Sequence, residues 1–183
     1  MKKVMTMLLA LALAGLMGIS ALAEEAVQLP NMNAFTAKTL EGEAVTQEIL
    51  ADANLTVVNV WSIMCGPCIE EMPQVAAFAK MLPKNVRVMT ICPDADLAPD
   101  EVMNFLKEAG FEGITLVSGD GDFETLLNQV QYTPTTFFLD SRGNTVGEVI
   151  IGGVDHLQDA WLAAVNTALT EIGKPVIQLE GNQ

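Results

Sequence analysis

Cys65-Gly66-Pro67-Cys68 is the segment of this chain whose residue types and spacing can do chemistry. Two intervening residues let both sulfurs reach bonding distance within one helical turn. Where such a segment opens a helix, the first thiol meets unpaired backbone N–H groups and the positive end of the macrodipole, which favour the thiolate. Pro67 suits the first helical turn and stiffens the spacer. A lone C-x-x-C can also be half of a zinc site, but zinc needs two more ligands. Only Cys92 and His156 remain, with no second C-x-x-C and no H-x-x-x-H pair. The balance favours a thiol pair that cycles between dithiol and disulfide.

A second feature lies about seventy residues on, in Tyr132-Thr133-Pro134-Thr135-Thr136-Phe137-Phe138. A proline directly before a β-rich run cannot donate to a ladder and suits a cis bond at a strand start. Alone it reads equally well as a strand-capping proline. Its distance from a C-x-x-C favours a place in the same site.

The elements that must position these residues follow from the apolar pattern. Residues 55–61 form a β-branched apolar run of the kind buried in a parallel sheet. The spacing predicts a helix over 67–81, bent at Pro73, then a strand at 86–91 and a helix over 98–109 ended by Gly110. Residues 114–117 are a short strand or extended loop, and 123–130 a helical segment. Strands at 135–139 and 145–151 flank a turn, and a last helix runs from near Asp155 to Ile172. Residues 35–38 and 43–45 flank Glu41-Gly42 as a small hairpin, with a short helix at 47–51. Parallel strands with helical crossovers, then an antiparallel pair, predict one three-layer α/β domain.

Residues 1–23 have the pattern of an export signal: Lys2 and Lys3, an apolar run, then small residues at Ala21 and Ala23 before Glu24-Glu25. Residues 4–23 would also just span a bilayer as an uncleaved anchor. Either way the rest lies outside the cytosol, in the periplasm or beyond, where paired thiols persist as disulfides. Residues 24–33 read as a loose lead-in, 34–173 as the domain and 174–183 as a frayed tail. The chain of 183 residues carries 9 Lys+Arg against 23 Asp+Glu. Without Lys2 and Lys3 the balance is 7 against 23, a net charge of −16. Such a surface repels phosphate backbones, so no nucleic-acid partner is expected. An apolar content of 50% excludes wholesale disorder.

The stretch Trp61-Ser62-Ile63-Met64-Cys65-Gly66-Pro67-Cys68-Ile69-Glu70-Glu71-Met72-Pro73, followed by Thr133-Pro134-Thr135-Thr136-Phe137, resembles the thioredoxin fold. More narrowly it resembles the TlpA/ResA-like extracytoplasmic thiol–disulfide oxidoreductases, over about residues 34–172. The resemblance implies a thioredoxin-like α/β fold: a central mixed sheet flanked by helices, with an N-terminal β-hairpin extension. It implies that Cys65 is the exposed nucleophile and Cys68 the buried resolving thiol of a redox-active disulfide. Pro134 would be cis and face that disulfide, with the Thr133 backbone, Trp61 and Met64 meeting the substrate. Glu71, three residues past Cys68, would help set the thiol pKa values. Asn59 stands where cytosolic thioredoxins carry a buried acid, and Met64 where the family usually has Trp.

The activity so implied is reduction of disulfides in exported proteins by dithiol–disulfide exchange, without a cofactor. Electrons would return through a membrane thiol carrier. Two other readings stand beside it. Ser62 lies three residues before Cys65, as in a peroxiredoxin, although Val58 replaces the proline expected further upstream. Cys65 and Cys68 with Met64 or Met72 could instead bind copper, since soft sulfur ligands suit Cu(I). Cys92, at the end of the 86–91 strand, is expected to be a buried free thiol acting as a small hydrophobe. The alternative is a third thiol that traps a mixed disulfide or pairs between chains.

Overall fold

The computed structural model describes residues 27–179. The leader at 1–23, the start of the lead-in and the end of the tail lie outside the described residues. The strands are β1 (Phe35–Thr39), β2 (Ala44–Thr46), β3 (Leu55–Val60), β4 (Val86–Ile91), β5 (Thr115–Gly121), β6 (Thr135–Asp140) and β7 (Thr145–Ile151). The helices are α1 (Gly66–Met81), α2 (Pro99–Ala109), α3 (Asp122–Leu127) and α4 (Leu157–Glu171). Seven strands form one mixed sheet in the order β2-β1-β5-β4-β3-β6-β7. β3–β4 and β4–β5 pair in parallel, and all other neighbours are antiparallel.

β3 is central and buried along its whole length. Successive side chains of a strand point to opposite faces. Val57 joins the core under α1, α2 and α4, whereas Val58 joins the core with Leu50 and the α3 residues Phe123 and Leu126. With both faces covered, β3 reads as continuous apolar sequence rather than as an alternation. Each fully buried Val contributes about 1.5–3 kcal/mol. Phe78 of α1 meets Trp161 of α4 edge-on at 5.5 Å and locks the two helices on the sheet. The result is a thioredoxin-like three-layer fold.

Several boundaries differ from the sequence expectation. β5 runs on to Gly121 because β1 pairs with its second half, from Lys38↔Ser118 to Phe35↔Gly121. Ser118-Gly119-Asp120-Gly121 has no hydrophobic signature, so only backbone pairing makes it strand. The hairpin of β1 and β2 is thus part of the main sheet. α3 ends at Leu127, short of 130, and α4 begins at Leu157 after His156 adopts φ 53°. α1 continues through exposed Pro73, which supplies no N–H to the Ile69 carbonyl.

The described parts of the lead-in and tail are both tied down. Met32 is fully buried, and its N–H donates to the Gly143 carbonyl at 2.7 Å. Gly143 has φ 86°, and a Cβ there would overlap the Met32 carbonyl, so this turn requires glycine. At the other end, Asn166 exchanges two hydrogen bonds with the backbone of Ile177, at 2.8 and 3.1 Å. Polar side chains holding backbone at long sequence separation leave no periodic pattern to read.

Candidate active site at the carboxyl end of β3

β3 ends at Val60, and five residues later Cys65 occupies the N-cap position of α1 in extended conformation. The Cys68 N–H points at the Cys65 sulfur across 3.3 Å, and Pro67 stands in the first turn. Cys65 and Cys68 are joined as a disulfide, with Cα atoms 5.3 Å apart. The two sulfurs are not equivalent: Cys65 is half-buried and Cys68 fully buried. Only Cys65 offers a sulfur to an incoming molecule.

The second loop meets the first at Thr133, whose carbonyl oxygen lies 3.4 Å from Cys65 Sγ. In the dithiol state the Cys65 S–H can donate to that oxygen. The Thr133–Pro134 peptide is cis, and the Pro134 carbonyl accepts from the Gly152 N–H at 2.8 Å. Thus β6, antiparallel to β3, delivers its start to the edge where β3 ends.

Glu71 is 7% exposed, one turn after Cys68 and on the same helix face. Burial pushes its carboxyl up from 4.5 to about 7, against the lowering effect of a hydrogen bond from Asn59. Asn59 Nδ2 donates to Glu71 Oε1 at 3.1 Å and to Thr136 Oγ1 at 3.0 Å. Asn59 Oδ1 is buried without a partner among the described residues. Gly153 lies over the carboxylate, where a Cβ would stand 3.6 Å from Glu71 Oε2.

Asp94 holds the loop on the other side of Cys65. Its carboxylate accepts from Ser62 Oγ at 2.7 Å, from the Ile63 N–H at 3.4 Å and from Cys92 Sγ at 3.3 Å. Ser62 Oγ in turn accepts from the Met64 N–H at 3.0 Å. Cys92 is a buried free thiol. Burial first, then the hydrogen bond and charge of Asp94, push its pKa far above the ordinary thiol range.

The sequence expectation needs one correction at this site. Trp61 was expected at the substrate rim, but it is fully buried, its ring 5.6 Å from that of Phe105. The ring packs beneath the loop and cannot touch a substrate. Met64, by contrast, is 82% exposed beside Cys65. Met72 belongs to the core, and exposed His156 only precedes α4. Asp94, Thr136 and Gly153 were missed by sequence reasoning. Loops at the carboxyl ends of adjacent parallel strands meet, and that rule applied to Cys92-Pro93-Asp94 would have found Asp94.

A disulfide split between an open and a buried sulfur, on this fold, defines the class as thiol–disulfide oxidoreductase. The Redoxin family model matches residues 25–160, and the chain belongs to that family. Among solved structures, MTB dsbF in its mixed oxidized and reduced forms is 26% identical. The match covers 73% of this chain and 94% of that one, with a TM-score of 0.57. A secreted thiol-disulfide isomerase from Corynebacterium glutamicum shares the fold at 19% identity, over 83% of this chain and 89% of that one, with a TM-score of 0.62. StoA from Bacillus subtilis does so at 24% identity, over 71% and 98%, with a TM-score of 0.54. No curated protein matches the chain.

Proposed function

We propose that the chain acts outside the cytosol and reduces disulfides in exported proteins. The observation that carries the reading is the half-buried Cys65 sulfur at the N-terminus of α1, against the Thr133 carbonyl and backed by buried Cys68. In the dithiol state, Cys65 thiolate attacks a substrate disulfide, forming a mixed disulfide and releasing one substrate thiolate. Cys68 then gives its proton to Glu71 and attacks the Cys65 sulfur. The Cys65–Cys68 bond forms, the mixed disulfide breaks, and the second substrate thiolate leaves. Two electrons pass to the substrate, and the two departing thiolates take up protons.

Glu71 serves the resolving step, because a buried thiol must lose its proton before it can attack the mixed disulfide. A carboxyl raised to about 7 is matched to that transfer near neutral pH. The Thr133 backbone would pair with the substrate chain while Met64 borders it, and a membrane thiol carrier would return the electrons. Export rests on the charged start, apolar run and small-residue end of 1–23. The Corynebacterium neighbour, described as secreted, is consistent with it.

Insulin reduction tests the reading. Cys65→Ser abolishes it, and Cys68→Ser accumulates mixed disulfides with substrate. Full activity in Cys65→Ser would overturn the mechanism. A reduction potential near or below about −230 mV fits a reductase, whereas one near about −120 mV would reverse the electron flow.

A further inference from the structure

Three apolar side chains stand exposed on the loops that adjoin Cys65: Met64 at 82%, Leu97 at 79% and Tyr132 at 66%. They come from three loops that meet at the disulfide. Met64 precedes Cys65, Leu97 follows the Asp94 that holds Ser62, and Tyr132 precedes the Thr133 carbonyl at Cys65 Sγ. Tyr132 also walls an apolar cavity of about 180 Å³, which Val130, Val149 and Ile151 line with Val27 and Leu29. Exposed apolar surface gathered at one place marks contact with another polypeptide.

The charges around that surface are segregated. β3, β4 and β5 are parallel, so their carboxyl ends share one edge with the N-termini of α1, α2 and α4. That edge carries Asp94, Asp96, Asp100, Glu101, Asp155 and Asp159. Lys80, Lys84, Arg87, Lys107, Arg142 and Lys174 lie at the opposite ends of the same elements. The one other described basic residue is Lys38, on β1. Acids at helix N-termini and bases at C-termini each suit the macrodipole. Of the three helices only α2 has both, with Asp100 and Glu101 in its first turn and Lys107 in its last. The far ends also carry Asp52, Glu108, Glu112, Asp140 and Glu171, so charge there nearly cancels, whereas the edge at Cys65 holds acids without a described lysine or arginine.

We propose that this face selects disulfide-bonded polypeptides whose target cysteine lies beside an apolar residue and among lysines or arginines. The inference rests on the exchange reaction proposed above and names its substrate class. The acidic edge steers a basic segment to the thiol and repels an acidic one. Met64, Leu97 and Tyr132 then cover the apolar neighbour, with the cavity beside Tyr132 receiving its side chain.

Three synthetic peptides test this, each with one internal disulfide and a leucine beside the cysteine, flanked by Lys, Ser or Glu. Pre-reduced protein is mixed with each in a single turnover, and new peptide thiol is followed. At low ionic strength the Lys peptide reacts about tenfold faster than the Glu peptide. The ratio falls towards one at high salt, and shrinks at low salt in the double variant Asp96→Lys/Glu101→Lys. Equal rates at low salt, or a ratio indifferent to salt, would overturn the proposal. Cys65-dependent reduction of the Ser peptide keeps the exchange reaction standing even then. Failure to reduce any of the three peptides sinks both.

Discussion

Asn59 Nδ2 donates to Glu71 Oε1 across 3.1 Å, from the middle of the sheet to the helix that carries both cysteines. This bond stabilises the ionised carboxylate in a place where burial opposes ionisation. The same amide reaches Thr136 Oγ1, opposite Asn59 in the β3–β6 register. Removing the donor in Asn59→Ala therefore moves the Glu71 pKa further up, by about one unit. Carboxyl NMR of the oxidised protein reads that shift directly. The pH profile of the Cys68 step moves to higher pH by the same amount. An unmoved titration would limit Asn59 to holding the strand.

Glu71 also makes stability depend on pH. Its folded pKa of about 7 exceeds the reference value of 4.5, so the folded state binds more protons between those values. The contribution to stability is full below 4.5 and is lost as pH rises to 7. Glu71→Gln removes that loss. At pH 8 the oxidised variant should exceed the parent by on the order of 2 kcal/mol, with the gap closing at pH 4. Urea denaturation at the two pH values measures it. The same variant slows resolution of the mixed disulfide, so the change that stabilises the fold weakens the activity.

Asp94 anchors the loop before Cys65 through Ser62 and Ile63. Asp94→Ala leaves both groups without their acceptor and should cost about 1–3 kcal/mol. Faster hydrogen exchange confined to residues 62–64, with the rest of the sheet protected as before, is the expected signature. Loss of protection across β3 and β4 would instead mean that Asp94 supports the whole edge.

Cys92 should behave as a structural thiol. Reduced, folded protein takes one alkyl group rapidly at pH 8, on Cys65, and Cys92 is alkylated only after denaturation, as intact-mass and peptide spectra will show. Burial and the Asp94 carboxylate both oppose its thiolate. A Cys92 adduct forming in the folded protein at the pace of the Cys65 adduct would return Cys92 to the redox chemistry.

Much of the framework is legible as sequence. The β3 and β4 runs are apolar because both faces of the sheet are covered, so they stand out wherever the chain is read. The second half of β5 does not, because Ser118 to Gly121 become strand only by pairing with β1. Trp61 misled for a related reason: its place in the motif says nothing of which way the ring packs.

Taken alone, the sequence determined the reactive pair, its place at a helix start and the α/β architecture, since spacing, capping and periodicity act over a few neighbouring residues. Tertiary structure alone decided which groups surround that pair. Thr133 reaches Cys65 from 68 residues away, Asn59 reaches Glu71 across the sheet-to-helix interface, and Asp94 reaches Ser62 from the neighbouring strand's end. Such contacts depend on strand order and register, which pack residues distant in the chain. No local pattern encodes which distant side chain will be the partner.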